Sequence, residues 1–167
     1  MAEEANWDNT LEEWLITEGF CCAAGLAQGA DGMFYAAAPA AEEAGWGIIF
    51  KDDHEEDIMQ DDDSTKKVTI NEPSALKQVA ETGSAPASGL WLGGHKYRVV
   101  QKDMAFESGE HTFAWILGAM PKKGVHIVRT PNGQIIAALY DEEKSQTSGN
   151  CKRVVLAFAE YLAGMGY

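Results

Sequence analysis

Basic residues are scarce in this 167-residue chain: 13 Lys and Arg stand against 26 Asp and Glu, a formal net charge of −13. Binding to phosphates needs clustered cations, so this balance excludes nucleic acid as the main partner and disfavours anionic lipid surfaces. Cysteine is scarcer still. Cys21, Cys22 and Cys151 make an odd count, adjacent Cys21 and Cys22 are poorly placed to pair, and no metal-type spacing is present, so reduced and mostly buried thiols are expected. No apolar run approaches the roughly 20 residues that a membrane span needs. The first residues, Met1-Ala2-Glu3-Glu4-Ala5-Asn6, are acidic and lack the apolar segment of a signal peptide, which predicts a soluble, cytoplasmic protein. Catalytic signatures are missing too: there is no G-x-S-x-G elbow, no P-loop and no H-E-x-x-H. His54, His95, His111 and His126 show no ligand spacing and read as ordinary surface or core residues. The acids lie in solvated runs with no apolar pocket to raise a pKa. The chain reads as a non-enzyme with no cofactor and no metal.

What is present suits one globular domain over residues 1–167, with 46% apolar and 23% charged residues. Most of the negative charge is local. Between Ala41 and Asp63 ten acids face Lys51 alone, a net −9 that leaves only −4 for the rest of the chain. The remainder is close to balanced and has room for a basic patch.

Along the chain, Asn9 and Glu12 resemble a capping box for a first helix over about Asp8 to Glu18, with Leu11 and Leu15 facing inward and Gly19 ending it. Trp14 is expected in the core, and Trp7 half-exposed at the helix start. Cys22–Ala27 and Met33–Ala38 read as strands around Ala30-Asp31-Gly32, with Phe34 and Tyr35 on opposite faces. An acidic insertion at about 41–69 follows, in which His54–Gln60 and Lys66–Ile70 pair as a hairpin arm. Asp61, Asp63, Thr65 and Glu72 fall at calcium-loop positions 1, 3, 5 and 12, but Lys66 stands where such a loop needs Gly, so a solvated arm is the better reading. Pro73 opens a helix to about Thr82. Leu90-Trp91-Leu92, Gly93-Gly94 and His95–Val100 form the clearest hairpin, with Lys96, Arg98 and Lys102 on one face opposite Tyr97 and Val99. Thr112–Leu117 adds a strand, and Val125–Arg129, Pro131-Asn132-Gly133 and Gln134–Tyr140 make another hairpin.

A last helix runs to about Ala163, with Gly164 as its terminator. At 100° per residue its buried stripe holds Val154, Val155, Phe158, Ala159 and Leu162; Tyr161 lies at the edge, and Arg153 and Leu156 fall outside. Consecutive strands with short links, and helices at both chain ends, predict an α+β layered domain built on an antiparallel meander.

Several separate runs carry a resemblance. Leu92-Gly93-Gly94-His95-Lys96-Tyr97, Gly149-Asn150-Cys151-Lys152-Arg153-Val154-Val155 and Ala159-Glu160-Tyr161-Leu162, in that order, resemble profilin. Lys51-Asp52-Asp53-His54-Glu55-Glu56-Asp57 and Ala138-Leu139-Tyr140-Asp141-Glu142-Glu143-Lys144 are similar to the apicomplexan branch of that family, which carries an extended arm in the region of the acidic insertion. The resemblance implies a central antiparallel sheet flanked by helices on both faces, with the N- and C-terminal helices packed together on one face. It implies a monomer of the cytoskeleton that binds monomeric actin, proline-rich segments such as those of formins and, weakly, phosphoinositides, and so regulates filament assembly. By matching position, the actin residues are Lys96, Arg98 and Val99 on the hairpin with Lys152, Arg153 and Leu156 on the last helix, Leu156 serving as an exposed apolar contact. Positions around Ile116 and Gly118 are not basic here. The proline-rich-peptide residues are Trp7, Tyr35, Tyr161 and Tyr167, while Thr10 stands where the family often has a further aromatic. The alternative is a proline-rich-peptide adaptor with weak or no actin binding; a third reading is a calcium-responsive acidic protein.

Overall fold

The computed structural model describes residues 7–39 and 44–167. The start of the acidic insertion, with Glu42 and Glu43, lies outside the described residues. Nine strands and four helices follow in chain order among them. α1 is Trp7–Leu11, continued by a wider turn over Glu12–Ile16; β1 is Ala23–Gln28, β2 Phe34–Ala38, α2 Ala44–Ile49, β3 His54–Met59 and β4 Thr65–Ile70. α3 is Glu72–Thr82, β5 Leu90–Leu92, β6 His95–Ser108, β7 His111–Met120, β8 Lys123–Arg129, β9 Gln134–Asp141 and α4 Ser148–Gly164. Seven strands form one antiparallel sheet in the order β2-β1-β9-β8-β7-β6-β5, and β3 pairs with β4 alone.

Alternation along the strands sends side chains into two cores, one on each sheet face. On one face Leu11, Leu15, Phe113, Trp115, Val128, Ile136, Val155, Phe158 and Leu162 pack together, so the N- and C-terminal helices share that face. On the other, α2 and α3 contribute Ile49, Leu76, Val79 and Ala80 against Leu90, Tyr97, Ile116, Val125, Ile127 and Leu139. Phe34 and Tyr35 point to opposite sides, as adjacent strand residues must.

The first helix is shorter than its sequence suggests. Trp7 is already helical, so Asn9 lies inside the helix and does not start it as a capping residue, and Glu12 falls in the wider turn that follows. Its last turn is wide: the Thr17 amide and hydroxyl both donate to the Glu12 carbonyl, at 2.9 and 3.0 Å, before Gly19 turns away at φ +82°. Asp8 accepts the Ala37 amide at 2.9 Å, which fixes the helix to edge strand β2.

Leu156 is the main correction to the helix face. It is 8% exposed and belongs to the core with Trp115, Phe113 and Phe158. The buried arc of α4 is centred on Cys151 and Val155, Cys151 being fully buried and Val154 only half-buried. Reading the stripe from its bulkiest side chains skips Cys151 and places the arc too far towards Val154. The end of α4 also differs. Gly166, at φ +91°, is the terminator: its amide donates to the Ala163 carbonyl and that of Tyr167 to Leu162, the Schellman pattern. Tyr167 is thereby folded back towards the helix.

Strand β6 runs 14 residues, well beyond Val100, and is irregular. Its register against β7 slips between Val99 and Gln101, so Arg98 pairs with Ala119 but Lys102 with Ile116. A one-residue bulge flips every later side chain. Lys102 therefore leaves the face of Arg98 and lies against Gly83 at the end of α3.

Buried between the sheet and the start of α4, His126 accepts the Trp115 indole N–H on Nδ1 at 3.0 Å, and its Nε2 lies 2.9 Å from the Ser148 carbonyl. With Nδ1 accepting, the proton sits on Nε2 and the ring is neutral. Burial is the main reason its pKa falls to about 4, and nearby Lys152 pushes the same way. The unfolded chain takes up this proton below about pH 6.5 while the folded chain does not. Stability is therefore full above that pH and is lost as pH falls towards 4. We expect the unfolding free energy to drop by about 2 kcal/mol between pH 7.5 and 5 from this group, and the His126→Gln protein to lose that part of the pH dependence in urea titrations.

Candidate functional site

Two surfaces hold most of the residues singled out above. The first lies between α1 and the C-terminal half of α4. The Trp7 and Tyr167 rings meet edge to face, centroids 5.0 Å apart, and Trp14 stacks on Tyr161 at 4.9 Å and 27°. Phe158 supports both Trp14 and Tyr161 from the core, at 5.6 and 6.2 Å. Tyr161 and Tyr167 are 40% and 39% exposed, so the strip is open to a ligand. Tyr35, on β2, donates its phenol proton to the Gln134 side-chain oxygen at 2.5 Å. Burial, with a smaller contribution from Tyr167, pushes its pKa up to about 12. Tyr35 thus stays neutral, with its proton committed to Gln134.

The structure brings Trp7 and Tyr167 into contact and sets Tyr35 on β2, hydrogen-bonded to Gln134. It pairs Tyr161 with Trp14, a residue the sequence reading assigned to the core. Trp14 is only half-buried; it sits on the wide turn after α1, where a regular helical wheel misplaces it.

The second surface is basic. Lys96 and Arg98 are exposed on β6 and, with Ala119, Met120 and Pro121, line a groove of about 510 Å³. Arg98 is on the α4 side of the sheet, the side to which Trp115 points. Lys152, from the first turns of α4, reaches the same side: its Nζ lies 3.7 Å from the Trp115 ring centroid and 4.6 Å from that of Phe106. Cation–π contact of this kind fixes a flexible lysine at modest energetic gain. Arg153 goes elsewhere. It lies over Phe20, 5.1 Å from the ring centroid, beside a groove that it shares with Glu13, Glu18 and Val154.

Two predicted contacts do not join this face. Val99 pairs with Gly118, is half-buried and packs into the opposite core. Leu156 is buried, as described above. Ile116 and Gly118 are buried as well, so the lack of basic residues at those positions removes nothing from the surface.

Glu72, in the sequence only a calcium-loop candidate, has a large structural role of another kind. Glu72, 1% exposed, accepts the amides of Lys51, Gly93 and Gly94 at 2.9, 2.8 and 2.8 Å. It also meets His54 Nε2 at 3.0 Å, and His54 Nδ1 lies 2.6 Å from Glu56. The carboxylate thereby ties arm strand β3 to the turn that leads into Lys96 and Arg98. The calcium-loop assignment fails on this geometry, since its twelfth position is already spent on three amides. The arm has its own small apolar contact, Ile58, Val68 and Ile70 against Trp91. Among the described residues no helix is long and apolar enough to cross a membrane.

Comparison with known proteins places the chain in a family. The family model described as Profilin matches residues 5–167. The chain is 39% identical over 170 residues to the profilin of Plasmodium falciparum (isolate 3D7), covering 98% of each chain. It is 34% identical over 165 residues to that of Plasmodium berghei, covering 96% of this chain and 94% of the relative. Among solved structures, Acanthamoeba castellanii profilin IA superposes with a TM-score of 0.63 at 20% identity, over 96% of this chain and 99% of that one. Mouse profilin IIa in complex with a double repeat from the FH1 domain of mDia1 superposes with a TM-score of 0.59 at 14% identity, over 98% of this chain and all of that one.

Proposed function

Because the chain belongs to the profilin family, we propose that it is a non-catalytic adaptor that binds monomeric actin on its basic face and proline-rich segments on its aromatic strip. The observation that carries this reading is the open pair of contacts Trp7–Tyr167 and Trp14–Tyr161 along the two terminal helices. Flat rings pack well on prolines, and a polyproline II ligand is ordered before it binds, so little entropy is lost. The mouse relative solved with an FH1 repeat supports the same class of ligand. Tyr35 contributes a ring face, its phenol being occupied. Engaging actin and a proline-rich partner at once raises the local actin concentration beside that partner.

The test is a titration with a proline-rich peptide, read by tryptophan fluorescence. Both tyrosines touch a tryptophan, so binding is expected to change the emission. Tyr161→Ala with Tyr167→Ala should weaken binding by about tenfold or more while the melting temperature stays near wild type. An unaltered affinity in the double variant would remove the strip as the peptide site. A strip that binds while actin does not bind at all would leave the peptide-adaptor alternative.

A further inference from the structure

We infer that Cys21 and Cys151 form an oxidative cross-link site, where a hydroperoxide converts two buried thiols into one disulfide joining the entry of β1 to α4. Their sulfurs are 3.2 Å apart, and the side chains are 1% and 0% exposed. All three cysteines are reduced in the structure. A disulfide bond is about 2.05 Å long, so closure asks for a movement of little more than 1 Å.

Chain geometry decides which thiol is left out. Cys21 packs with the α4-side core and Cys22 against the opposite one, because neighbouring residues in an extended chain point to opposite faces. Cys22 is therefore separated from Cys151 by the sheet, even though it is the more exposed of the adjacent pair. The Cys151 thiol also lies 3.6 Å from the Ala138 carbonyl, which holds it over β9 next to Cys21.

The step balances with hydrogen peroxide as oxidant. One thiolate attacks the peroxide O–O bond, giving a sulfenic acid and releasing water after proton transfer. The second thiol then attacks that sulfur, forming the S–S bond and expelling a second water. The contact with the Cys21 thiol, and then burial, hold the Cys151 thiol protonated, well above its ordinary pKa. Oxidation is accordingly slow and proceeds through local opening of α4. Because closure moves the sulfurs so little, the product is a clamp: it joins residues 130 apart in sequence without rearranging either binding surface. A cross-link closing so long a loop restricts the unfolded chain strongly.

The experiment treats the full chain with hydrogen peroxide and counts thiols under denaturing conditions. The expected result is a fall from three thiols to one, a mass lower by two hydrogens, a Cys21–Cys151 linked peptide and a melting temperature higher by about 5–10 °C, all reversed by dithiothreitol. Cys22→Ser should show the same gain, and Cys21→Ser should show none. Three surviving thiols, a link through Cys22, or only sulfinic and sulfonic products would overturn the inference. The mass and thiol counts are read on the unaltered protein, so they decide the matter even where a cysteine variant fails to fold.

Discussion

The Glu72→Ala protein is expected to unfold with about 3–5 kcal/mol less free energy than wild type. The magnitude follows from what the substitution leaves behind. Three backbone amides, of Lys51, Gly93 and Gly94, lose their acceptor in a place where the carboxylate itself is 1% exposed. Water cannot replace that acceptor without opening the contact between the Gly93-Gly94 turn and the end of α2, where a Cβ on Gly93 would lie 2.0 Å from the Ile48 carbonyl. A domain of this kind has roughly 5–15 kcal/mol of stability in total, so the loss is a large share of it. Glu81→Ala is the matched control. Glu81 pairs with Lys77 at 3.1 Å, one turn apart on the exposed face of α3, and such pairs are worth about 0.3–0.5 kcal/mol. Urea titrations of the two variants give the comparison directly. If they lie within about 1 kcal/mol of each other, the clamp is not what holds the turn. Lost arm protection in hydrogen exchange should accompany the Glu72 effect, since His54 loses its partner as well.

Glu72 also shows where sequence reading stops. Hairpin β5–β6 is legible from Gly93-Gly94 because two adjacent glycines between apolar runs specify the turn through their backbone freedom, and both have positive φ. Pro131-Asn132-Gly133, the inward Leu11 and Leu15, and the α+β layering are legible for the same reason: each depends on a residue and its near neighbours. The Glu72 clamp depends on residues 21 and 22 positions away, which no local period encodes. The bulge after Val99 is equally silent, yet it decides which face Lys102 takes. Leu156 failed for a subtler reason. A helical wheel gives angles between residues, but the direction of the core must be supplied, and a small buried Cys151 carries as much directional information as Phe158. In the aromatic strip, Trp7, Tyr35, Tyr161 and Tyr167 are the positions the resemblance implies, while Trp14 needs the wide turn at Glu12–Ile16 to bring it beside Tyr161.

That correction reshapes the test of the proposed actin face. Leu156→Ala would hollow the core at a cost of about 2–4 kcal/mol, so lost binding in such a protein would report on stability. Charge reversal at cations outside the core, the exposed Arg98 and the half-buried Lys152, is the sharper probe. Arg98 and Lys152 reach the α4 side of the sheet, Arg98 beside the groove with Lys96 and Lys152 above Trp115. Actin is acidic, so cations at such positions both steer encounter and dock against carboxylates. Anchors desolvated in an interface commonly cost about 2 kcal/mol or more when lost, a factor of roughly 30 in affinity. Arg98→Glu with Lys152→Glu is therefore expected to weaken actin-monomer binding at least that much, measured by titration calorimetry. Arg153→Glu alone should cost less, because Arg153 lies round the helix over Phe20, near Glu13 and Glu18. Raising salt should weaken wild-type binding and affect the double variant less, the attractive charges having been removed. Proline-peptide affinity serves as the internal check on folding, since Tyr161 and Tyr167 lie on the other surface. A double variant that binds actin as wild type does, with its peptide affinity intact, would move the actin site away from β6. An Arg153→Glu protein weaker than the double variant would place the site on the Phe20 side of α4 instead.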